Sequence, residues 1–137
     1  MLVINVRSYK MTRAHAFFVH VFHALDASGL PAILACTSEL QASIALDGRA
    51  VPARDLETLA AELGRYGRVR MVTGMAVFRL SGDDIGRCQG CLFKALGDSG
   101  VNIEMISQGP IEHAILWVVS GRDAEKTLAT VKAQFCL

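Results

Sequence analysis

The sequence predicts an α+β fold in which one β-α-β-β-α-β unit is used twice. Segments with strand-like alternation and segments with helical spacing follow one another in a fixed order, and the same order begins again at Ala76. We therefore place a first domain at residues 1–73 and a second at residues 74–137. One constant offset also aligns the halves without gaps, which indicates an internal duplication. It pairs Phe22 with Phe93, Leu25 with Leu96, Gly29 with Gly100 and Ile44 with Ile115.

The first half contains four predicted strands and two predicted helices. Apolar residues recur at helical spacing before Gly29, a residue type that commonly ends a helix. Apolar and polar residues alternate in the segments that bound the unit, as is typical of strands. The predicted strands are residues 2–7, 31–36 (buried), 40–46 and 69–72, and the predicted helices are residues 13–28 and the segment around 56–63.

The second half repeats this order with one omission. Strands are predicted at residues 76–80, 102–108 and 113–120, with a helix that ends before Gly100. A last helix from Asp123 is expected to present Ala124, Leu128, Val131 and Phe135 on one face. No final strand is predicted before Leu137, so one edge of this sheet lacks a partner. An open edge favours pairing with another subunit, and we expect a homodimer.

The composition allows a sizeable core and argues against several partners. Apolar residues make up 52% of the 137 residues, and the formal net charge is +1. We expect no nucleic-acid partner, because phosphate binding needs concentrated positive charge. We expect no membrane partner, since no apolar run reaches the roughly 18 residues of a spanning helix. Residues 1–9 do not resemble a secretion signal, and the four cysteines do not suggest a disulfide framework, so a cytoplasmic location is expected.

Two segments resemble the regulatory region of aspartokinases. Residues 102–109, NIEMISQG, resemble the signature of the second ACT domain of these enzymes. The first half resembles their first ACT domain, most of all the fungal type. The matching positions are residues 2–8, then Lys10, His15, Phe17, His20 and Phe22, then Thr37, Ser38 and Glu39 before a strand.

The resemblance covers nearly the whole chain and implies two tandem ferredoxin-like βαββαβ domains. It also implies sheets that lie side by side in a dimer and amino-acid effectors bound at the interfaces between ACT domains. A kinase domain would precede such a region, and no segment here resembles one. We therefore expect no kinase activity from these residues, and no cofactor.

The resemblance further implies where an effector binds. In the family, the effector carboxylate lies at the start of the first helix, where free backbone N–H groups favour an anion. An acidic side chain on the second strand pairs with the effector ammonium group. Carried onto this chain, these positions are residues 11–18 and Ile33. The predicted ligand-binding residues are Met11, His15, Ala16, Phe17, Phe18, Ile33, Thr37, Ser38 and Glu39.

Several of these positions depart from the family pattern. Ala14 and Ala16 replace a serine and a glycine, and Ile33 replaces the aspartate. Isoleucine cannot pair with an ammonium group, and an unpaired buried charge is costly, which argues against lysine or threonine in this pocket. In the second domain, Ala114 and Leu116 replace an asparagine and a small polar residue. The chain therefore either no longer binds an amino acid or binds a more apolar ligand.

Two pairs of residues suggest metal or redox chemistry only weakly. Cys88 and Cys91 form a C-x-x-C pair at a predicted helix start, and His20 and His23 lie three residues apart on a helix. Redox use of such a cysteine pair needs a thioredoxin-like context, and zinc needs two more ligands. We interpret both pairs as structural and expect no metal site.

Catalysis has three weak candidates, His15, Glu39 and Cys36, which together could supply acid–base or nucleophilic groups around an apolar cleft. Packing is the simpler interpretation of His15 and Cys36. The leading hypothesis is a noncatalytic regulatory dimer that binds a small molecule across an ACT–ACT interface. The alternative is a repurposed enzyme whose former effector cleft processes an apolar metabolite. A third is an interaction subunit with vestigial pockets.

Overall fold

The chain folds into two compact units, Met1–Thr73 (unit 1) and Gly74–Leu137 (unit 2). The structure is a computed structural model, and it describes residues 1–10, 14–109 and 113–137. Each unit consists of one antiparallel sheet and two helices of more than ten residues. The predicted α+β class, with the β-α-β-β-α order of a ferredoxin-like unit occurring twice, is confirmed.

Unit 1 has the complete set of six elements. They are β1 (Leu2–Ser8), α1 (Ala14–Ser28), β2 (Ala32–Ser38), β3 (Gln41–Leu46), α2 (Ala53–Leu63) and β4 (Gly67–Val72). The strands lie in the order β2-β3-β1-β4, with all neighbours antiparallel. The first and third strands are therefore central, and β2 and β4 are the edges.

Alternate residues of the central strands form the core of unit 1. Ile4 and Val6 of β1 and Ile44 of β3 are fully buried, and they pack with Val21 of α1 and Leu63 of α2. Because side chains alternate along a strand, the residues between them point to the other face of the sheet. The helices thus cover one face of the sheet, and every second strand residue contributes to the core beneath them.

Unit 2 repeats the arrangement with three strands. Its elements are β5 (Met75–Ser81), α3 (Ile85–Asp98), β6 (Ile103–Ser107), β7 (Ala114–Ser120) and α4 (Ala124–Phe135). The strand order is β5-β7-β6. Among the described residues of unit 2, β5 pairs with β7 alone, at an edge that corresponds to the one β4 covers in unit 1. Trp117 of β7 is buried in the core and stacks on Phe78 of β5, with ring centroids 5.6 Å apart.

The two units share local features at matching positions. A β-bulge leaves Ile33 without a partner in the register of β2 with β3, and another leaves Glu104 without one in the register of β6 with β7. These residues are separated by the same offset as Gly29 and Gly100, which follow the first helix of each unit. Both glycines have positive φ, 68° and 73°, a conformation that favours glycine over residues with a Cβ.

Two details of the sequence-based prediction are wrong. The segment predicted as a buried strand is the edge strand β2, in which only Leu34 is buried. An apolar run does not reveal that the strand has a neighbour on one side only. In α4, Leu128 is 46% exposed, whereas Thr127 and Val131 are buried, so the inward face is rotated from the predicted one.

The inward position of Thr127 leads to a stability prediction. Its side chain is fully buried, and its hydroxyl has no hydrogen-bond partner in the described part of the chain. An unsatisfied buried hydroxyl is destabilising, and valine has nearly the same shape and helix propensity. We expect Thr127→Val to raise the free energy of unfolding by about 1 kcal/mol in urea titrations.

The matched control is Thr58→Val on the exposed side of α2, where the hydroxyl donates to the carbonyl of Arg54 at 2.9 Å. This change should alter the free energy of unfolding by no more than about 0.5 kcal/mol. A loss of stability in Thr127→Val alone would show that the buried hydroxyl does have a partner.

Candidate functional site

A cleft in unit 1, here called the β1 cleft, lies where β1 ends, beside the first turns of α1 and the turn between α2 and β4. Its volume is about 340 Å³. Cationic and aromatic side chains dominate its lining, and no carboxylate is among them. The lining residues are Ser8, Tyr9, Lys10, Ala16, Phe17, His20, Arg65 and Tyr66.

Aromatic contacts build one wall of the β1 cleft. The ring of His20 stacks on that of Tyr66, with centroids 4.3 Å apart and an interplanar angle of 6°. The guanidinium of Arg65 lies 5.4 Å from the centre of the same tyrosine ring. The hydroxyl of Tyr9 donates to the carbonyl of Gly64 at 3.0 Å. These contacts join α1, the end of β1 and the α2–β4 turn, and they fix the positions of the groups a ligand would meet.

Only some of the helix-side residues predicted to bind a ligand line the β1 cleft. Ala16 and Phe17 do so, and Phe17 is buried. Phe18 is half-buried against the core, with its ring 5.3 Å from that of Phe17. His15 is exposed on α1 and is not part of the lining. Met11 lies outside the described residues.

The strand-side residues lie elsewhere in unit 1. Ile33, Thr37 and Ser38 are exposed on the edge strand β2, and Ile33 is 40% exposed at the bulge. Glu39 occupies the β2–β3 turn with a positive φ of 48°. None of the four lines the β1 cleft. Within one unit, the strand-side and helix-side residues therefore do not form a single enclosed site.

The three weak catalytic candidates lie on three different elements. His15 is on the exposed surface of α1, Cys36 is half-buried on β2, and Glu39 is in the turn that follows. No hydrogen bond or ion pair joins the side chain of His15 to that of Glu39 in the described part of the chain. His15 and Glu39 are therefore not joined as an acid–base pair within the described part of unit 1.

Neither the cysteine pair nor the histidine pair belongs to a larger cluster of potential metal ligands among the described residues. No group of three or more His, Cys, Asp or Glu side chains there could hold a metal ion. Cys88 lies in the first turn of α3 and Cys91 in the second, and both are free thiols. His20 is engaged in the stack on Tyr66, and His23 is exposed. Among the helices described, none has the length and hydropathy needed to cross a bilayer.

Six cleft residues are missing from the predicted ligand-binding set. Ser8, Lys10 and His20 belong to the positions that match the family, whereas Tyr9, Arg65 and Tyr66 do not. The pairing of β1 with β4 brings them together, although more than fifty residues of sequence separate Tyr9 from the other two. Glu104 is also missing from the prediction, although the sequence contains a signal that points to it. The offset that aligns the two halves places Glu104 at the position of Ile33, and the shared bulge supports that alignment.

Comparison with known proteins agrees with this architecture. A family model described as an ACT domain matches residues 89–135. The aspartokinase of Candida albicans is 35% identical over 136 residues, covering 97% of this chain and 25% of that protein. The aspartokinase of Saccharomyces cerevisiae is 33% identical over 141 residues, covering 96% of this chain and 26% of the enzyme.

Solved structures extend the likeness to both units. Aspartokinase III of Escherichia coli with aspartate and ADP superposes with a TM-score of 0.85 at 25% identity, over 99% of this chain and 32% of that chain. The same enzyme with lysine and aspartate superposes with a TM-score of 0.79 at 26% identity, over 96% of this chain and 30% of that chain. A regulatory domain of an aspartate kinase from Porphyromonas gingivalis has the same fold, with a TM-score of 0.83 at 23% identity over 97% of this chain and 89% of that one.

Fold and sequence together define a tandem ACT-domain protein. The chain is a homologue of the regulatory region of aspartokinases, which confirms the resemblance seen in its sequence. It spans about a quarter of the length of the curated aspartokinases that it matches.

The stacked histidine gives a prediction for the β1 cleft. We expect His20→Ala to lower the free energy of unfolding by about 0.5–1.5 kcal/mol, because it removes an aromatic pair. The control is His23→Ala, one turn further along the same helix on an exposed surface. Both changes alter helix propensity equally, so the difference between them in urea denaturation measures the stack. Equal effects would show that the stack does not stabilise the fold.

Proposed function

We propose that the chain is a noncatalytic regulatory module that binds a small effector and works as a homodimer in the cytoplasm. The observation that carries the proposal is the kind of side chain found at the β1 cleft and at the bulge of β2. Cationic groups remain at the β1 cleft, whereas the bulge position of β2 is occupied by an isoleucine. A module of this kind acts by binding its ligand more tightly in one arrangement of its domains than in another.

The effector of unit 1 is proposed to be a small carboxylic acid with an apolar body. Lys10 at the β1 cleft supplies positive charge for a carboxylate, and Arg65 has further N–H donors beside its ion pair with Glu62 at 2.9 Å. Because the strand-side and helix-side residues lie apart within one unit, the ligand is proposed to bind across an ACT–ACT interface. There, Ile33 offers only apolar contact where an ammonium group would need an acid, and Ala16 adds an apolar surface on the helix side. Apolar 2-oxo acids have this chemistry, whereas amino acids such as leucine or lysine carry an ammonium group that Ile33 would leave unpaired.

Unit 2 has an acidic residue at the position that corresponds to Ile33. This difference supports ligand binding by the chain rather than vestigial pockets. Glu104 stands at its bulge, exposed and hydrogen-bonded to the side-chain amide of Asn102. A carboxylate there meets the requirement for an ammonium partner that Ile33 does not. The two units are thus proposed to differ in specificity, with recognition of an ammonium group confined to unit 2.

Dimerisation is supported by the open edge of β5. This seven-residue strand pairs with β7 alone in the described part of unit 2, and it contains Val77, Phe78 and Leu80. A long apolar edge strand is a ready site for pairing with a strand of another copy. Cys88, Cys91 and Cys136 are free thiols, which is typical of a reducing compartment such as the cytoplasm. No observation favours the repurposed enzyme.

Thermal unfolding with a panel of leucine, its 2-oxo acid, lysine and threonine tests the proposal. A ligand present at ten times its Kd stabilises the folded state by about 1.4 kcal/mol, which raises the Tm by several degrees for units of this size. We expect leucine and the 2-oxo acid to produce this shift in the native sequence. The proposal of a small-acid sensor is wrong if all four compounds leave the Tm unchanged at millimolar concentration.

Variants at Ile33 and Glu104 test which of these residues contacts the ligand and which ligand group it recognises. Ile33→Asp should weaken the response to the 2-oxo acid and introduce one to lysine, whereas the control Ile33→Val should leave both unchanged. Glu104→Gln should reduce the response to leucine but not to its 2-oxo acid, because only the amino acid has an ammonium group. If Ile33→Asp and Ile33→Val behave alike, the bulge of β2 does not contact the ligand.

A further inference from the structure

The face of the unit 1 sheet turned away from the helices carries three arginines. Arg7 lies on β1, and Arg68 and Arg70 lie on the adjacent edge strand β4. All three are exposed, and they alternate along their strands with residues such as Val6 that point to the helix side. We call this surface the arginine face.

The register of β1 with β4 brings the three arginines close together. Arg7 is directly opposite Arg68, and Asn5 is directly opposite Arg70. Directly opposed residues in an antiparallel pair have Cα atoms about 4.5–5.5 Å apart. Arg68 and Arg70 are two residues apart on one strand, which corresponds to about 7 Å. These spacings are short compared with the reach of an arginine side chain, so three guanidinium groups can meet around one anion.

No acidic residue in the described part of the chain neutralises the arginine face. None of the three arginines has an ion-pair partner among the described residues. Like charges placed directly opposite each other destabilise a sheet. Unit 1 therefore carries an unrelieved repulsion at this point. The other residues that share this half of the face are Asn5, Cys36, Ser38, Gln41 and Ser43, none of them acidic.

Neutral hydrogen-bonding groups adjoin the arginines. The side-chain amide of Asn5 donates to the hydroxyl of Ser43 at 2.8 Å, which fixes the amide next to Arg70. The hydroxyl of Ser43 retains its own proton for donation. A bound oxyanion would thus find charged donors on two strands and a neutral donor on the third.

We propose that the arginine face is a binding site for a small phosphate compound with at least two negative charges, such as a pyrophosphate ester. Arginine binds phosphate oxygens through two parallel N–H groups, and the tetrahedral arrangement of those oxygens allows several arginines to bind one group. The net charge of the chain is only +1, so three neighbouring unpaired cations are a local concentration. The site shares no residue with the β1 cleft, and it does not depend on the effector proposed there.

Isothermal titration of the full chain with inorganic pyrophosphate at low ionic strength tests the site. Arg68→Gln should weaken binding by about tenfold or more, since it removes charge-assisted hydrogen bonds. The control Arg54→Gln removes an exposed arginine of α2 from elsewhere on unit 1, and it should change the Kd by less than about twofold. Without pyrophosphate, Arg68→Gln should slightly raise the Tm, because it relieves the repulsion with Arg7.

Several results would overturn the proposal. These are no measurable binding to the native sequence at millimolar pyrophosphate, equal weakening by Arg68→Gln and Arg54→Gln, or citrate binding as tightly as pyrophosphate. The last would assign the surface to polycarboxylates. Arg68→Lys keeps the charge but not the paired donors, and it should also weaken binding. Full retention of affinity in that variant would show attraction to charge alone and would exclude a specific phosphate site.

Discussion

The alternation of side chains along the two central strands of unit 1 is the constraint on which the other features depend. Ile4, Val6 and Ile44 must lie under the helices, because they supply fully buried core. This requirement fixes the register of β1 with its neighbours, since a slip by one residue would expose them all. The same register then sets Arg7 opposite Arg68 on the far face. The buried core and the arginine face therefore both follow from the register of β1 with its neighbouring strands.

Much of the fold follows from the sequence because it depends on local patterns. Helical spacing before Gly29, alternation in the bounding strands and the repeat at a constant offset each reflect a periodicity that neighbouring residues carry themselves. The burial of β2 does not follow, because an apolar run has the same appearance in a central strand and in an edge strand. The orientation of α4 is set by packing of Thr127 and Val131, and hydrophobicity alone selects Leu128 in error.

The candidate site was less predictable than the fold for a related reason. Tyr9 and Tyr66 belong to one cleft only because β1 and β4 are neighbours, a relation that no short segment of sequence records. Of the helix-side residues that the resemblance to aspartokinases implies, Ala16 and Phe17 line that cleft. The same resemblance implies that Ile33 replaces an aspartate. The counterpart of that residue, Glu104, follows from the offset that aligns the two halves, and the bulge that both units share supports the alignment.

The aromatic residues are divided between the units in a useful way. The chain has one tryptophan, Trp117, buried in unit 2, and two tyrosines, Tyr9 and Tyr66, both in unit 1. Tryptophan emission depends on the polarity around the indole, so its wavelength reports the packing of unit 2 alone. Both tyrosines lie at the wall of the β1 cleft, and neither contributes when the tryptophan is excited at wavelengths that tyrosine does not absorb. The protein therefore carries an intrinsic optical label on unit 2, and that half can be followed by itself in an unmodified sample.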